Sequence, residues 1–518
     1  MTAPKHAPTP EQIAIIDAAL NDTRSLLVRA GAGCAKTTTL EMIAEALPKT
    51  TIGLCLAFNR KIVDEMEKRM PPNFTVKSFN GVGHAAWTRA IGKRCAVDEK
   101  KLGKIVTEVF RRVDWKGQED DWGVVRQLAS AAMNLGLVPR GFSQRGLVAD
   151  TDAFWRELCE SEIGAYDPDF SAMAREVITL NIKKAFDGTI SYDDQVYMST
   201  MFGGVFPRFP LVMVDEAQDL GLLNHMQVRR CASARLIVVG DEKQAIYAFR
   251  GADADSIDKI KALRSEWLEL PLETTFRCPK VIVARQQEHA PGFKAWHTNS
   301  DGFFADWFPR HENEVWSWQK ISQTRTEHKA EGFMILCRNN GPLLGIAFKL
   351  LRQQVGVQML GRDIGKGLVA LSKKVLPHDD LGRDACAVMI KAWEEESKSL
   401  AMAQGKEEKC DGIEDRAACL QAVLEGSGAR TAGDLRTALG RLFARDSGQV
   451  VLSTGHRAKG LEDDMVLHLD PWRLPSKWAQ KSAEKGDDRA LKQEWNLNYV
   501  IETRARKVLV LANLEDFQ

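Results

Sequence analysis

A short loop near the start of the chain limits its possible folds more than any other feature. Residues 30–37 read Ala-Gly-Ala-Gly-Cys-Ala-Lys-Thr, between an apolar run at 25–28 and an apolar-periodic stretch at 40–47. This order predicts a strand, a glycine-containing loop and a helix that begins at a Lys-Thr pair. The N–H groups of such a loop and helix start point at bound phosphates. We therefore expect the chain to bind a nucleoside triphosphate.

Two residues of this phosphate loop have predicted chemical roles. Lys36 supplies a positive charge to the β and γ phosphates, and the hydroxyl of Thr37 is a ligand for Mg²⁺. ATP and Mg²⁺ are therefore the predicted cofactors. The residues expected around the nucleotide phosphates and base are Gly31, Ala32, Gly33, Cys34, Ala35, Lys36, Thr37 and Thr38.

The loop departs from the usual G-x-x-x-x-G-K-[ST] pattern at both glycine positions, which hold Ala30 and Ala35. Alanine resists positive φ, so we expect Ala35 to have helical or extended φ if the loop binds phosphate. Taken alone, the same residues also fit an ordinary Gly-Ala turn before a helix. Residues further along the chain favour the phosphate loop.

A second apolar run, 211–214, ends in the sequence Asp-Glu-Ala-Gln-Asp. A buried parallel strand that carries two carboxylates at its C-terminal end is typical of a Mg-dependent ATPase. Asp215 is the predicted metal residue, and Glu216 is predicted to orient or deprotonate the attacking water. The alternative is a helix cap, since acidic clusters after strands are common in that role.

At this point the chain resembles the UvrD/PcrA/Rep-like branch of superfamily 1 DNA helicases, because further segments match that family in its order. Segments 239–252, 275–277, 454–462 and 499–505 resemble its later motifs, with Phe249 in place of a tryptophan. Segments 58–61, 76–84 and 192–194 resemble earlier ones, with Asn80 where many relatives have histidine. The resemblance leans towards F-box DNA helicases and phage-encoded relatives.

The resemblance implies roles for residues on both sides of the nucleotide. Gln12 would read the adenine edge, and Phe276 would cover the base. Arg277 and Arg504 would bring positive charge to the γ-phosphate from another domain, which makes catalysis depend on domain closure. Either arginine is alternatively a surface ion-pair residue. Gln244 is implied as a catalytic residue, and Glu462 as part of the nucleotide site.

The resemblance also implies a track for single-stranded DNA. Aromatic faces on this track stack on bases, and the stacking tolerates any base sequence. The residues that the motifs place there are Phe58, Asn59, Ser78, Asn80, Tyr247, Phe249, Arg250 and His456.

The expected fold class is α/β, with two RecA-like parallel-sheet domains that each carry a mainly helical insertion. We expect the first domain at 1–88 and 186–277, with its insertion at 89–185. The second domain is expected at 278–369 and 447–518, with a small insertion at 370–446. A chain of 518 residues exceeds one hydrophobic core and suits such an arrangement.

Composition excludes several other classes of protein. The ten cysteines form no C-x-x-C pair, which argues against zinc modules, iron–sulfur clusters and a disulfide framework. No apolar run approaches about 18 residues, and the start has no signal-peptide core. We therefore expect a cytoplasmic protein, or a nuclear one in a eukaryote. With a net charge of +1, nucleic-acid affinity must come from local basic residues and stacking.

Three functional hypotheses follow. The leading one is an ATP-dependent single-stranded DNA translocase and helicase, moving 3′ to 5′ as the resemblance implies, in replication, repair or recombination. The second is a DNA-stimulated ATPase subunit of a nuclease or phage-defence complex that unwinds little alone. The third is a nucleotide sensor with lost catalysis, which Ala35 suggests and the retained catalytic residues oppose. Expected partners are single-stranded DNA, strand junctions and a nuclease, polymerase or single-strand-binding protein; the isolated chain is expected to be monomeric.

Overall fold

The computed structural model describes residues 7–58, 60–116, 121–163, 166–246, 256–308, 315–403, 407–445 and 447–518. Contacts divide the chain into two units. The first comprises Met1–Ala30 and Ala35–Leu272, and the second comprises Gly31–Cys34 and Glu273–Gln518. The division after Leu272 lies a few residues before the predicted boundary at 277, and the second unit also takes four residues of the phosphate loop.

The first unit is built on a six-stranded parallel sheet. The unit contains the strands β1 (Ser25–Ala30), β2 (Gly53–Ala57), β3 (Phe74–Ser78), β4 (Ala96–Val97), β5 (Thr189–Ile190), β6 (Phe209–Val214), β7 (Ala232–Gly240) and β8 (Trp267–Leu272). The sheet order is β3-β2-β6-β7-β1-β8, while β4 and β5 form a separate parallel pair. β2 is apolar and buried throughout, and β6 is apolar and buried over 211–214, as expected where helices cover both faces of a parallel sheet.

Helices of the first unit cover the sheet and form a second, helical core. They are α1 (Pro10–Asn21), α2 (Lys36–Ala46), α3 (Arg60–Met66), α4 (Phe79–Ile91), α5 (Lys101–Arg112), α6 (Asp121–Asn134), α7 (Asp152–Glu162), α8 (Pro168–Phe186), α9 (Tyr192–Met201), α10 (Leu222–Cys231) and α11 (Ser256–Lys261). Trp87 and Trp155 lie fully buried in the helical core, together with residues of α5, α6, α8 and α9. Helices α5–α8 fall within the predicted insertion.

A buried ion pair joins this helical layer to the start of α9. Lys101 Nζ lies 2.6 Å from Asp194 Oδ2, and the two side chains are 2% and 0% exposed. Asn181 Nδ2 and the Ser191 N–H also donate to the Asp194 carboxylate. Because buried charges are costly unless fully paired, this network fixes how α5, α8 and α9 pack. Asp194 belongs to the acidic segment 192–194 and, in this unit, holds helices together.

The second unit repeats the parallel-sheet arrangement. Its strands are β9 (Thr274–Thr275), β10 (Lys294–Ala295), β11 (Phe303–Asp306), β12 (Phe333–Cys337), β13 (Val357–Met359), β14 (Val450–Thr454), β15 (Asp463–Leu469) and β16 (Ala505–Ala512). Six of them form a sheet in the order β11-β16-β15-β12-β14-β13, and β10 pairs with β9.

Helices of the second unit share one hydrophobic core with its sheet. They are α12 (Lys280–Gln286), α13 (Trp318–Glu327), α14 (Asn340–Arg352), α15 (Arg362–Val375), α16 (Arg383–Ala403), α17 (Cys410–Gly426), α18 (Ala432–Phe443), α19 (Lys477–Glu484) and α20 (Arg489–Glu502). Helices α15–α18 lie between β13 and β14 in sequence. Leu435 and Leu439 of α18 belong to the same buried cluster as Val450 and Leu452 of β14. This insertion is therefore part of the core of the second unit.

The predicted fold class is confirmed, since both units are α/β with a parallel six-stranded sheet. Within the described residues, no helix has the length and apolar composition needed to cross a membrane.

His468 of β15 makes the stability of the second unit depend on pH. Its side chain is fully buried, neither ring nitrogen has a hydrogen-bond partner, and burial lowers its pKa from 6.5 to about 4. The unfolded chain takes up this proton near pH 6.5, whereas the folded chain resists it until about pH 4. Stability contributed by the neutral ring is therefore lost as the pH falls through this window.

We expect His468→Leu to remove part of this acid sensitivity. Between pH 7 and pH 5 the parent should lose about 2 kcal/mol through this residue, and the variant should not. Urea unfolding at both pH values, with hydrogen exchange of β15 amides, measures the difference. The control is His297→Leu, which removes an exposed histidine of the same unit. Equal pH dependence in the parent and His468→Leu would contradict the assignment.

Candidate functional site

Three neighbouring strands of the first sheet end at the candidate nucleotide site. β6, β7 and β1 lie side by side, and their C-terminal ends lead into Asp215, Asp241 and the phosphate loop. Because all three strands run parallel, these segments meet at one edge of the sheet, where open α/β sheets bind their ligands. We call the residues of this edge in the first unit the cradle: Ala35, Lys36, Thr37, Asp215, Glu216, Gln218, Asp241 and Gln244.

The predicted metal residues are in direct contact. Thr37 Oγ1 donates to Asp215 Oδ2 at 2.6 Å, and Asp215 is fully buried. Burial, followed by the charge of Glu216, raises the pKa of Asp215 to about 6. A desolvated carboxylate beside a hydroxyl offers two hard oxygen ligands, and a divalent cation would relieve its electrostatic cost.

These two residues fit a Mg²⁺ ion held mainly by phosphates and water. Among the described residues, no group of three or more His, Cys, Asp or Glu side chains is placed to hold a metal. Mg²⁺ bound with a nucleotide needs only one or two protein carboxylates, since phosphate oxygens and water complete its octahedron.

The predicted base lies beside the predicted phosphate-binding lysine. Glu216 Oε1 is 3.5 Å from Lys36 Nζ, and Lys36 is 9% exposed. Gln218 Nε2 donates to Glu216 Oε2 at 2.6 Å and thereby orients the carboxylate. The ammonium and the carboxylate thus face the same space, as a phosphate-binding cation and a water-orienting base require.

A hydrogen-bonded chain links Glu216 to the end of β7. The Asp241 N–H donates to Gln218 Oε1 at 2.9 Å, and Gln244 Nε2 donates to Asp241 Oδ2 at 2.7 Å. Asp241 is fully buried, and its burial raises its pKa. Sequence reasoning singled out Gln244 but missed the positioning residues Gln218 and Asp241. The sequence contained features that could have identified them, since Gln218 lies in the Asp-Glu-Ala-Gln-Asp segment and Asp241 directly follows β7.

The expectation of helical or extended φ at Ala35 is wrong. Ala35 has φ 58° and ψ 44°, in the left-handed region, where it forms the N-cap of α2. The turn from β1 into α2 needs this backbone conformation, and the Cβ of alanine makes it cost roughly 1–2 kcal/mol. Glu216 is also left-handed, with φ 51°. Strain at two non-glycine residues of one cradle is typical of a functional site.

Four residues of the phosphate loop are held within the second unit. The Ala32 N–H donates to the Tyr499 hydroxyl at 2.9 Å, and the Gly33 carbonyl accepts from the Phe276 N–H at 2.9 Å. Gly33 has φ 68°, and a Cβ there would lie 2.5 Å from Arg277 Cβ, so only glycine fits. Cys34 is fully buried, which opposes the oxidation sensitivity that exposure would give it.

Gln12 is buried and occupied by local contacts. Its Oε1 accepts from the Thr9 N–H, which completes a capping box at the start of α1. Its Nε2 donates to Thr39 Oγ1 at 3.0 Å and so ties α1 to α2. Gln12 thus orders the helix that carries Lys36 and Thr37, and adenine recognition by Gln12 stays a prediction. Thr38, on the same helix, is partly exposed.

The predicted arginines of the second unit differ in their surroundings. Arg277 Nε lies 2.5 Å from Glu462 Oε2, so these two predicted site residues form an ion pair. Arg504 is 1% exposed and donates to the carbonyls of Val500 and Leu461. Burial, followed by the charge of Arg277, lowers the pKa of Arg504 to about 10. The structure thus places Arg277, Glu462 and Arg504 in one electrostatic cluster of the second unit.

Phe276 is part of an aromatic group. Its ring centroid lies 5.3 Å from that of Trp296, which in turn lies 4.2 Å from that of His297. Phe276 and Trp296 are both partly exposed. This group offers flat apolar surface for a nucleobase, which sequence reasoning found only at Phe276.

Some of the predicted DNA residues are described by the structure, and others are not. Phe58 directly follows β2 and is 45% exposed. Ser78 caps α4 by accepting a hydrogen bond from the Gly81 N–H, and Asn80 donates to the Tyr192 carbonyl at 2.7 Å. His456 follows β14 and is partly exposed. The remaining predictions lie outside the described residues: Asn59, Tyr247, Phe249 and Arg250.

Comparison with known proteins finds two matching family models. Residues 152–263 match the UvrD/REP helicase N-terminal domain, and residues 403–516 match the UvrD-like helicase C-terminal domain. In these two segments the chain is similar to UvrD-like helicases. The first match contains Asp215, Glu216 and Gln244, whereas the second contains His456, Glu462 and Arg504.

Similarity to individual proteins extends over most of this UvrD-like chain. It is 24% identical to F-box DNA helicase protein 1 of Schizosaccharomyces pombe over 97% of the chain and 57% of that protein. It is 24% identical to the ATP-dependent DNA helicase PcrA of Bacillus subtilis, over 65% of the chain and 48% of that protein. RecBCD enzyme subunit RecB of Mycolicibacterium smegmatis is 34% identical over 23% of the chain and 13% of that protein.

These findings confirm the predicted resemblance and its F-box-like leaning. This UvrD-like chain spans about half the length of the F-box and PcrA relatives.

Ala35 provides a test of backbone strain in the cradle. We expect Ala35→Gly to stabilise the loop by up to about 1 kcal/mol, because relief of left-handed strain exceeds the added entropy of glycine when unfolded. Ala35→Val should destabilise it, since a β-branched residue tolerates this conformation poorly. Hydrogen exchange of α2 amides and thermal melting measure both changes. Lower stability of Ala35→Gly than of the parent would show that Ala35 is not strained.

Proposed function

We propose that the chain is an ATP-dependent single-stranded DNA translocase and helicase that moves 3′ to 5′. Contact of Thr37 with buried Asp215, beside the strained Glu216, is the observation that carries this proposal. This contact supports the proposal, because ATP hydrolysis requires oxygen ligands for a metal and a base next to a phosphate loop. The matches to two UvrD-like helicase domain models and the names of the relatives, DNA helicases, support DNA as the second ligand.

The cradle residues divide the chemistry of hydrolysis among them. Lys36 binds the β and γ phosphates, and Thr37 and Asp215 hold the metal. Mg²⁺ bound at Asp215 would neutralise charge on the phosphate oxygens. Glu216, oriented by Gln218, accepts a proton from the attacking water. Asp241 and Gln244 keep Gln218 in place through their hydrogen bonds.

Residues of the second unit complete the proposed machinery. We assign to Arg277 and Arg504 the role of bringing positive charge to the γ-phosphate. Phe276 is assigned the role of covering the nucleobase. Glu462 pairs with Arg277, so it holds that guanidinium in a defined position when no phosphate binds it. Stepping along DNA would follow if ATP binding and hydrolysis change the grip of each unit on the strand.

A second candidate function is a DNA-stimulated ATPase subunit of a nuclease complex. The match to a RecB subunit favours it, because that protein is named as part of a larger enzyme. ATP hydrolysis with and without single-stranded DNA tests the translocase function. Unwinding of a forked duplex by the purified chain then separates the two candidates. Strong DNA-stimulated hydrolysis without unwinding would favour the subunit, whereas no hydrolysis would contradict both.

Substitutions at Lys36 and Glu216 should separate nucleotide binding from hydrolysis. Lys36→Ala removes a phosphate-binding charge, so both affinity for ATP and turnover should fall. Glu216→Gln keeps the shape but loses the base, so turnover should fall at least about 100-fold while ATP still binds. Steady-state hydrolysis and binding of a fluorescent ATP analogue measure these effects, with exposed Glu266→Gln as control. If Glu216→Gln hydrolysed ATP as fast as the parent, Glu216 would not be the base that accepts the proton of the attacking water.

Phe58 should contribute to DNA affinity by stacking. Stacking of a base on an aromatic ring contributes roughly 1–3 kcal/mol by alanine substitution. Phe58→Ala should therefore weaken single-stranded DNA binding by about 5-fold to 150-fold in fluorescence anisotropy. Because the ring is 45% exposed, the melting temperature should change little. Leu20→Ala, at an exposed residue of α1, is the matched control. If Phe58→Ala bound single-stranded DNA as tightly as the parent, the DNA would not stack on Phe58.

A further inference from the structure

A groove lies at the opposite edge of the first sheet from the cradle. Its volume is about 510 Å³, and its lining residues are Gly204, Phe206, Arg208, Met226, Arg229 and Arg230. These residues directly precede β6 and β7, whereas the cradle follows the ends of the same strands. Parallel strands put their two ends at opposite edges of the sheet, so this groove and the cradle are separate sites. We call it the arginine groove.

The three arginines of the groove have no acidic partner in the part of the chain that the structure describes. Among the described residues, no carboxylate forms an ion pair with Arg208, Arg229 or Arg230. Arg230 is half-buried, donates to the Ser199 carbonyl at 2.9 Å, and lies 5.5 Å above the Phe206 ring centroid. Burial lowers its pKa. Three neighbouring positive charges without a counter-charge repel each other and attract an anion.

Two other arginines at this edge differ from those of the groove. Arg235 donates to the carbonyls of Ala18, Ala19 and Arg24, so it caps the C-terminal end of α1. Arg264 donates to three backbone carbonyls near the start of β7 and after α11. Their donors are committed to the fold. Arg208 and Arg229 are exposed, and neither donates such a bond to any residue within the described ranges.

The loop that carries Phe206 and Arg208 is firmly held. Gly203 has φ 79°, and a Cβ on Gly204 would lie 2.6 Å from the Ser199 carbonyl oxygen. The N–H of Gly204 donates to that carbonyl, and the N–H of Val205 donates to the Ala86 carbonyl. Phe206 packs against the core of the first sheet. A preorganised loop reduces the ordering cost when a ligand binds.

We propose that the arginine groove binds the phosphate backbone of a nucleic-acid strand, as a second DNA contact of the first unit. Guanidinium groups match phosphate oxygens in charge and geometry, and the partly exposed Phe206 and Met226 supply apolar surface for a base. This inference rests on the proposed function, since it takes DNA as the ligand. It also explains how a chain with a net charge of +1 gains local attraction for DNA.

The double substitution Arg208→Glu with Arg229→Glu tests the groove and leaves half-buried Arg230 in place. Loss of two phosphate contacts should lower affinity for a long single-stranded oligonucleotide about ten-fold at low salt. It should also reduce the slope of log affinity against log salt concentration by about 1.4, since each single-strand contact contributes about 0.7. Fluorescence anisotropy over a salt series measures both quantities, and melting curves verify folding.

The matched control is Arg89→Glu with Arg145→Glu, which reverses two exposed charges of the same unit outside the groove. Its affinity and salt slope should stay closer to those of the parent than to those of the groove variant. If both double variants lost DNA affinity equally, the loss would come from the change in net charge and not from the groove, and the proposal would be overturned. Parent-like affinity and slope in the groove variant would overturn it too.

Two further measurements separate the remaining outcomes. DNA-stimulated ATP hydrolysis by the parent tests the proposed function alone; if it is present while the groove variant binds DNA normally, only the groove proposal fails. Poly-glutamate tests an acidic protein segment as the occupant. If it binds the parent, fails to bind the groove variant, and leaves DNA binding by both unchanged, the groove is a protein-docking site and the DNA proposal is wrong.

Discussion

A hydrogen bond of 2.6 Å between the Thr37 hydroxyl and the Asp215 carboxylate is the contact on which the candidate nucleotide site depends. It needs β1 and β6 to be parallel and one strand apart, because only then do the residues that follow them meet. It also needs burial, which raises the pKa of Asp215 and leaves a carboxylate that gains from a cation. Gln218, Asp241 and Gln244 extend this contact into a connected polar network. In a low-dielectric setting such networks hold side chains in one arrangement.

Much of this organisation was predictable from the sequence, because parallel buried strands are nearly continuous apolar runs and their ends carry the chemistry. The runs at 25–28 and 211–214 predicted β1 and β6 and, with them, the meeting of Thr37 and Asp215. Family motifs then placed Gln244, Arg277, Glu462 and Arg504. In each case a short segment of sequence carries the signal, and the parallel sheet brings the residues that follow its strands close together.

Three features could not be read in this way. The left-handed φ of Ala35 depends on the turn that joins β1 to α2, and residue preference indicated the opposite. The contacts of Gln12 with Thr9 and Thr39 depend on how α1 packs against α2. The arginine groove combines residues before β6 with others at the end of α10, and only their three-dimensional arrangement shows that none of its described lining residues is a carboxylate. Long-range packing decides all three.

The conformation of Ala35 has a consequence for recognising proteins of this kind. Its backbone follows a path that glycine normally takes, so the loop preserves a shape while its amino-acid pattern changes. Geometry limits which residues fit this position: glycine adopts the turn without strain, alanine adopts it at some energetic cost, and β-branched residues adopt it at a higher cost. A sequence pattern that requires glycine directly before the Lys-Thr pair misses this chain. A pattern that allows every residue able to adopt the left-handed conformation at this position includes it.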